Sequence, residues 1–204
     1  MGETTVFTPC LEAMENVRNN DGSILSKPFL DMCRNILPVL DKFGTAMGVV
    51  KIDINGNITR LEKKYDSDHS KYHLLYSIVE EEVESKTTKR SSSNTNGLLW
   101  LTRAMDYLIE LFGNLVEHPD WSMSHVCTHS YAKTLKQWHG FLASSSFTIA
   151  MKLAPDRKKF MQVIGGESEK LIADIQAFHA LFSPFLQENH KVLVNYGVDN
   201  LKAS

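Results

Sequence analysis

The sequence predicts an all-α protein. Apolar residues recur at three- and four-residue steps along most of the 204-residue chain, which is the spacing of one face of an amphipathic helix. Prolines, glycines and a serine-rich stretch separate these periodic segments, and only one short stretch alternates as a strand would. These observations predict about seven or eight helices in a single domain that spans residues 1–204.

The first third of the chain contains two predicted helical segments. Residues 6–17 are weakly periodic, with apolar side chains at positions 11, 14 and 17. A second helix is predicted to open at Ser26-Lys27-Pro28, because proline is tolerated in a first turn. Pro38 is expected to kink or end that helix, since it lacks a backbone donor.

Residues 51–62 admit two interpretations. Asn55-Gly56 is typical of a turn between two short strands, because isoleucines alternate with polar residues around it. A helix would instead place Asp53, Asn57 and Arg60 at i, i+4 and i+7, on one face. Those three groups suit a ligand with hydroxyls or an amide, and they equally suit a solvated helix surface. The local pattern leaves both interpretations open.

A further helix is predicted over residues 70–85. Its apolar face alternates with the acidic run Glu80-Glu81-Glu82, which we expect to be solvated. A serine-rich loop at residues 86–95 follows and precedes the most apolar helix of the chain.

The central helix is predicted to begin near Asn96-Gly97 and to reach about residue 115. Its apolar arc is wide, so we expect it to pack on more than one side. Trp100 lies off the main apolar stripe, near the start of the helix and beside Arg103. A ring in that place suits a ligand, although an indole covering the edge of the core is the more common case.

The second half of the chain is predicted to contain two long helices. The first covers residues 124–153 and ends before Pro155, with His139 in its middle, where histidine usually packs with one hydrogen bond. A short basic helix then opens at residue 156. The last helix covers residues 168–196, and Pro184 is expected to bend it.

Composition excludes several classes of function. The net charge of −2 gives no field that favours nucleic acid, and no apolar run approaches the roughly 20 residues of a membrane span. Three widely spaced cysteines without a CxxC argue for reduced thiols in the cytosol and against a zinc site. We therefore expect no metal and no cofactor. A catalytic interpretation would rest on Asp53 and His139 without a recognisable nucleophile.

Three stretches in order resemble the glycolipid transfer protein (GLTP) family. They are Asp53-Ile54-Asn55-Gly56-Asn57-Ile58-Thr59-Arg60, Leu99-Trp100-Leu101-Thr102-Arg103, and Trp138-His139-Gly140-Phe141 followed by Leu153-Ala154-Pro155. Each motif is weak alone, but their order and spacing are specific, and the similarity extends from about residue 7 to residue 196.

The resemblance implies a two-layer sandwich of about eight helices around an apolar lipid pocket. It also implies a helix at residues 51–62. A protein of this kind carries a sphingolipid between membranes without making or breaking a bond, so we expect no enzyme activity. We expect a cytosolic monomer that contacts membranes transiently.

The resemblance assigns roles to five residues. Asp53 accepts from the ceramide amide N–H and His139 donates to the ceramide carbonyl. Asn57 and Arg60 bind sugar hydroxyls, and Trp100 stacks on the sugar ring. An amide requires one acceptor and one donor, and the apolar face of a sugar suits an indole.

The ligand class follows from residues that differ between branches of the family. The ceramide-1-phosphate branch has arginine at the position of Trp100 and a basic residue where Ala104 stands. We therefore predict a neutral glycosphingolipid, with a glucosylceramide-like lipid favoured. Arg103 is interpreted as a support for Asp53 through a salt bridge. In the alternative, a ceramide-1-phosphate carrier, Arg60 and Arg103 would bind the phosphate; a glycosphingolipid sensor or interaction module is the other class.

Two further sets of residues are predicted from the resemblance. Candidates for the apolar pocket are Ile36, Leu37, Leu40, Leu135 and Phe147. Candidates for membrane contact are Phe141, Trp121, Lys152, Arg157 and Lys158. Phenylalanine at position 141 replaces a tryptophan of the mammalian type, so contact is expected to spread to the others.

Overall fold

The computed structural model describes residues 4–166 and 168–202, and within them it is all-helical. The α-helices are α1 (Thr8–Met14), α2 (Ser26–Arg34), α3 (Leu37–Asp41), α4 (Gly48–Ser67), α5 (Ser77–Glu84), α6 (Asn94–Glu117), α7 (Met123–Lys133), α8 (Phe141–Lys152), α9 (Arg157–Ile164) and α10 (Glu169–Asn195). Short 3-10 helices lie at Gly44–Met47 and Lys136–Trp138. Two isolated bridges, Arg18 with Ile24 and Leu25 with Leu74, are the only β pairing among the described residues.

Helix α6 is the centre of the two-layer packing. It contacts α4, α5, α7 and α10, and the wide apolar arc predicted from the sequence is buried against them. The all-α prediction and the central position of this helix are therefore confirmed. No helix in the described ranges has the length and apolar character that crossing a membrane requires.

Residues 51–62 belong to the long helix α4, so the helical interpretation is correct. Ile54, Ile58 and Leu61 are fully buried at helical spacing, whereas Ile52 is 75% exposed. Burial therefore follows a period of three to four residues and not the alternation that suggested strands. The Asn-Gly pair lies within the helix because packing against α6 outweighs its local preference for a turn.

Two predicted helices are shorter than expected. The single helix over residues 124–153 is wrong, because α7 ends at Lys133 and α8 begins at Phe141. Between them His139 and Gly140 have extended backbones, with ψ of 136° and 178°. Residues 70–76 form turns and a bridge, so the helix predicted at residue 70 begins only at Ser77. By contrast, α10 continues through Pro184 without ending.

The sequence suggested that the acidic run of α5 is solvated, but two of its three glutamates are engaged by other residues. Glu81 pairs with Lys64 and Lys71 and accepts from Tyr72. These bonds lower the pKa of Glu81 to about 2. Glu82 is buried and serves a different purpose, described with the site below.

Candidate functional site

A cavity of about 570 Å³ opens at the surface beside α6. Its walls come from α4, α6 and α8, from the loop before α6, from the break between α7 and α8, and from the C-terminal residues after α10. Its polar and aromatic lining consists of Asp53, Asn57, Arg60, Lys89, Ser91, Asn96, Trp100, His139, Ser146, Phe147 and Lys202. The five residues predicted to bind the headgroup and the ceramide amide therefore share one cavity.

One face of α4 supplies three of these groups. Asp53, Asn57 and Arg60 follow one another at helical spacing, as the helical interpretation predicted. Desolvation by the surrounding protein raises the pKa of the Asp53 carboxyl, while the Asn57 amide and the positive charge of Arg60 lower it. The site thus presents an acceptor, an amide and a cation in a row.

Backbone carbonyls of the loop before α6 hold Arg60 in place. Its Nη1 atom donates to Ser91 O and Ser93 O, each at 3.1 Å. The side chain crosses α6 at Gly97, where an added Cβ would lie 3.0 Å from the Arg60 Cδ atom. Glycine at this position lets the guanidinium stem lie directly against the helix.

The start of α6 is anchored by Glu82. Its carboxylate accepts from the backbone N–H groups of Asn94 and Thr95, and from both of their side chains, at 2.7–2.9 Å. Ser93 completes the cap, because its Oγ accepts from Asn96 N at 2.9 Å. A carboxylate at a helix N-terminus satisfies donors that have no partner within the helix. The anchor fixes the loop that holds Arg60.

The rings of Trp100 and His139 stack on each other in the lining of the cavity. Their ring centroids are 5.5 Å apart and the rings are inclined by 23°. His139 Nδ1 lies 3.1 Å from the Tyr131 hydroxyl oxygen, and the same oxygen lies 3.2 Å from Ser144 Oγ. Burial lowers the pKa of His139, and the nearby charge of Arg103 lowers it further. The imidazole is therefore neutral near pH 7.

Arg103 does not pair with Asp53, so the predicted salt bridge is wrong. Its side chain is buried behind Trp100, and the residue is only 2% exposed. Nη1 donates to Leu201 O at 2.6 Å and Nη2 donates to Asp199 O at 2.5 Å. The guanidinium carbon lies 4.9 Å from the Trp100 ring centroid, so Arg103 connects that indole to the C-terminal residues.

The predicted apolar lining is divided between the cavity and the core. Leu135 and Phe147 line the cavity. Ile36, Leu37 and Leu40 are buried in the main hydrophobic core, where α3 packs on α4, and they are not among the residues that line the cavity. A narrow void of about 10 Å³ adjoins the cavity, with Phe147 in the walls of both.

The membrane-contact candidates separate into exposed and engaged residues. Phe141 and the adjacent Leu142 are 84% and 81% exposed at the start of α8, and Lys152 and Lys158 are also exposed. Arg157 is engaged instead, because its guanidinium donates to Leu115 O and Trp121 O.

Trp121 is the other engaged candidate. It is half-buried and stacks on His118, with the ring centroids 3.8 Å apart. The indole of Trp121 therefore packs against the protein and is not freely exposed.

Several lining residues were not predicted from the sequence. Asn96 was interpreted only as a helix start, and Leu201 and Lys202 reach the cavity through the fold of the chain end. Tyr131, which contacts His139, was not predicted as a site residue. Within the described part of the chain, no cluster of three or more His, Cys, Asp or Glu side chains is arranged to hold a metal ion.

Comparisons with known proteins identify the family of the chain. The family model described as Glycolipid transfer protein (GLTP) matches residues 24–166. Glycolipid transfer protein 1 of Arabidopsis thaliana is 62% identical over 202 residues, which is 99% of this chain and 100% of that protein.

Solved structures have the same fold. One that addresses how FAPP2 selects simple glycosphingolipids using the GLTP-fold is 25% identical with a TM-score of 0.86, covering 98% of this chain and 100% of that one. The human ceramide-1-phosphate transfer protein in complex with 12:0 ceramide-1-phosphate also has a TM-score of 0.86 with the same coverage, at 18% identity. This chain therefore belongs to the glycolipid transfer protein family.

Proposed function

We propose that this protein binds a neutral glycosphingolipid, preferably a glucosylceramide-like monohexosylceramide, and moves it between membranes without chemical change. The observation that carries the proposal is the single cavity that contains Asp53, Asn57, Arg60, Trp100 and His139. These groups match an amide flanked by a sugar. The high identity to Glycolipid transfer protein 1 of Arabidopsis thaliana supports the same ligand class.

The ceramide amide is recognised by one acceptor and one donor. Asp53 accepts from the amide N–H. In the tautomer that this role requires, the neutral His139 carries its proton on Nε2, which donates to the amide carbonyl, while Nδ1 accepts the single hydroxyl proton of Tyr131 in place of Ser144. A lipid that lacks the amide would leave the Asp53 carboxylate without a donor, and that loss selects for ceramide.

The sugar ring stacks on Trp100, and its hydroxyls bind Asn57 and Arg60. The position of the indole is fixed before the ligand binds, because Arg103 and His139 already contact the ring. Arg60 is held by two carbonyls, so it loses little side-chain freedom when a hydroxyl binds. Selection of the headgroup thus comes from groups whose positions are fixed before binding.

The ceramide chains enter between α4 and α8. The void that continues the cavity in this direction holds only about 10 Å³, so the chains must separate α8 from its neighbours. Helix α8 is suited to this, since Met151 is its only buried residue. Burial of the chains contributes about 25 cal/mol per Å², which supplies most of the binding free energy.

Membrane contact is made by the start of α8. Phe141 and Leu142 insert among the acyl chains while Lys152 and Lys158 meet anionic headgroups. All three cysteines are buried and free, as in proteins of the reducing cytosol, and we propose that the protein acts there as a monomer.

Ceramide-1-phosphate is the second candidate ligand, because Lys89 and Lys202 also line the cavity. The deciding experiment measures transfer of fluorescent glucosylceramide and fluorescent ceramide-1-phosphate between vesicles, by the protein and by Trp100→Ala. We expect glucosylceramide to move and the substitution to reduce its transfer about fivefold or more, since a stacked aromatic contributes about 1 kcal/mol or more.

Two outcomes would contradict the proposal. Preferential transfer of ceramide-1-phosphate, insensitive to Trp100→Ala, would assign the site to a phosphate. Binding of glucosylceramide without net transfer between vesicles would instead identify a sensor or interaction module. Equal thermal unfolding midpoints of the two proteins ensure that the comparison reports on the site.

A further inference from the structure

The residues after α10 form one wall of the cavity. This C-terminal segment, residues 197–202, turns at Gly197, whose φ of +67° favours glycine. Val198 is fully buried and packs with Leu99 and Leu193. Leu201 and Lys202 then line the cavity itself.

A histidine on α10 connects the C-terminal segment to the central helix. His190 Nδ1 lies 2.6 Å from Asp199 Oδ1, and His190 Nε2 lies 2.6 Å from Asp106 Oδ2. Each nitrogen faces a carboxylate, so both bonds require a donor, and only the protonated imidazole supplies two. The bond to Asp106 is the largest cause that raises the pKa of His190 to about 9, against the effect of its burial.

Arg103 adds a second attachment from the same helix. It donates to the backbone carbonyl of Asp199, the residue whose carboxylate binds His190, and to the carbonyl of Leu201, two residues further along the chain. Two cations, His190 and Arg103, thus hold the segment, and the two carboxylates of Asp106 and Asp199 balance their charge. Glu110 and Lys133 line the adjoining cavity, but they pair with each other at 2.9 Å.

We propose that His190 is a positioning residue whose protonated ring clamps the C-terminal segment against the cavity and slows departure of the bound lipid. The segment itself supplies no group that recognises the amide. It closes one side of the cavity, because Leu201 and Lys202 line the cavity and lie within three residues of Asp199. The lipid-retention part of this inference rests on the proposed function, whereas the clamp is a property of the free protein.

The clamp is tested first without lipid, by hydrogen exchange of the backbone amides. His190→Gln retains a polar side chain but removes the charge and one of the two donors facing the carboxylates. We expect the amides of residues 198–202 to exchange about tenfold faster or more, because a charge-assisted hydrogen bond is lost. Amide exchange in α6 should not change. His179→Gln, an exposed position on the same helix, is the matched control and should leave exchange unchanged.

A second variant guards against loss of fold. Asp199→Asn lies outside every helix and removes the same bond from the other side, so it should accelerate exchange in the same amides. If neither variant changes exchange of residues 198–202, the clamp is refuted.

The effect on the ligand is then measured as the dissociation rate of fluorescent glucosylceramide into excess acceptor vesicles. Faster dissociation from His190→Gln than from His179→Gln supports the inference, and equal rates despite a loosened segment overturn the retention role. If the unsubstituted protein binds no glucosylceramide, the proposed function fails instead, and the exchange data still decide whether His190 holds the segment.

Discussion

The guanidinium carbon of Arg103 lies 3.8 Å from the centroid of the Trp138 ring. The same guanidinium approaches Trp100 at 4.9 Å, so a single cation contacts two indoles. Its hydrogen bonds go to the C-terminal carbonyls. Arg103 therefore fixes the position of Trp100, the break before α8 and the chain end at once. Burial lowers its pKa to about 10, which leaves it charged at neutral pH.

Arg103→Lys should show that the planar group matters beyond its charge. An ammonium cannot stack on two indoles and also reach two separate carbonyls. We expect a loss of about 1–3 kcal/mol in the free energy of unfolding and a larger fractional loss of glucosylceramide transfer. Denaturant unfolding and vesicle transfer measure the two effects. Full transfer by a stably folded Arg103→Lys protein would contradict the role assigned to this side chain.

Much of the fold and of the cavity follows from sequence patterns. Helical spacing predicted that Asp53, Asn57 and Arg60 share a face, and the family resemblance chose the helix where the Asn-Gly rule favoured a turn. Local rules fail there because three buried apolar residues of α4 outweigh the turn preference of one dipeptide.

Other features depend on distant contacts that no local pattern encodes. The break between α7 and α8 contains no proline that could have signalled it. His139 and Gly140 have extended backbones there, and His139 stacks on Trp100. From the sequence we predicted a salt bridge between Arg103 and Asp53, but the acceptors of Arg103 lie 96 and 98 residues away in the sequence. The wall made by Leu201 and Lys202 depends on the same contacts.

Asp53→Asn tests recognition of the ceramide amide. The amide is nearly the same size as the carboxylate but is a weaker acceptor, so the charge-assisted bond to the ligand is lost. We expect transfer of glucosylceramide to fall roughly 10- to 100-fold. Asp66→Asn is the control, since this exposed acid on the same helix contacts only His69 among the described residues and should transfer normally. Equal activity of the two variants would remove Asp53 from the site.

Alkaline pH should loosen the C-terminal segment. The pKa of His190 is raised to about 9 from an ordinary value near 6.5, so its stabilising effect is complete below about pH 6.5 and is lost as pH rises through about 9. Asp106, Asp199 and Arg103 are the charges that face it. Dissociation of bound glucosylceramide should therefore accelerate between about pH 8 and pH 10. His190→Gln should show no acceleration between about pH 8 and pH 9, below the pKa of about 10 at which Arg103 loses its charge, and an identical rise there would point to another group.

The exposed pair at the start of α8 should control vesicle binding. Phe141→Asp together with Leu142→Asp replaces two inserted apolar side chains with charges that the bilayer interior rejects. We expect binding to vesicles to fall at least tenfold, while the unfolding midpoint is unchanged because both side chains are exposed. Leu181→Asp, at an exposed apolar position on α10, is the control. A similar loss from the control would indicate a general charge effect and not a docking surface.

Glu82→Gln should weaken both the fold and the site. The carboxylate accepts four hydrogen bonds at the start of α6, and a glutamine has only one acceptor oxygen, so its NH₂ group must face backbone donors. Loss of two or more of these bonds at a buried helix end should cost about 2–4 kcal/mol in the free energy of unfolding.

Glu82→Gln should also lower lipid transfer, because the cap that it disturbs holds Arg60 through the Ser93 carbonyl. Ser93 caps the same helix and its carbonyl accepts from Arg60, so a displaced cap releases the guanidinium from its position beside the sugar site. Glu80→Gln, an exposed acid in the first turn of α5, should change neither unfolding nor transfer. Transfer should remain low in Glu82→Gln even at temperatures where the protein is fully folded. Normal transfer under those conditions would mean that Glu82 supports the fold alone and that Arg60 keeps its position without the cap.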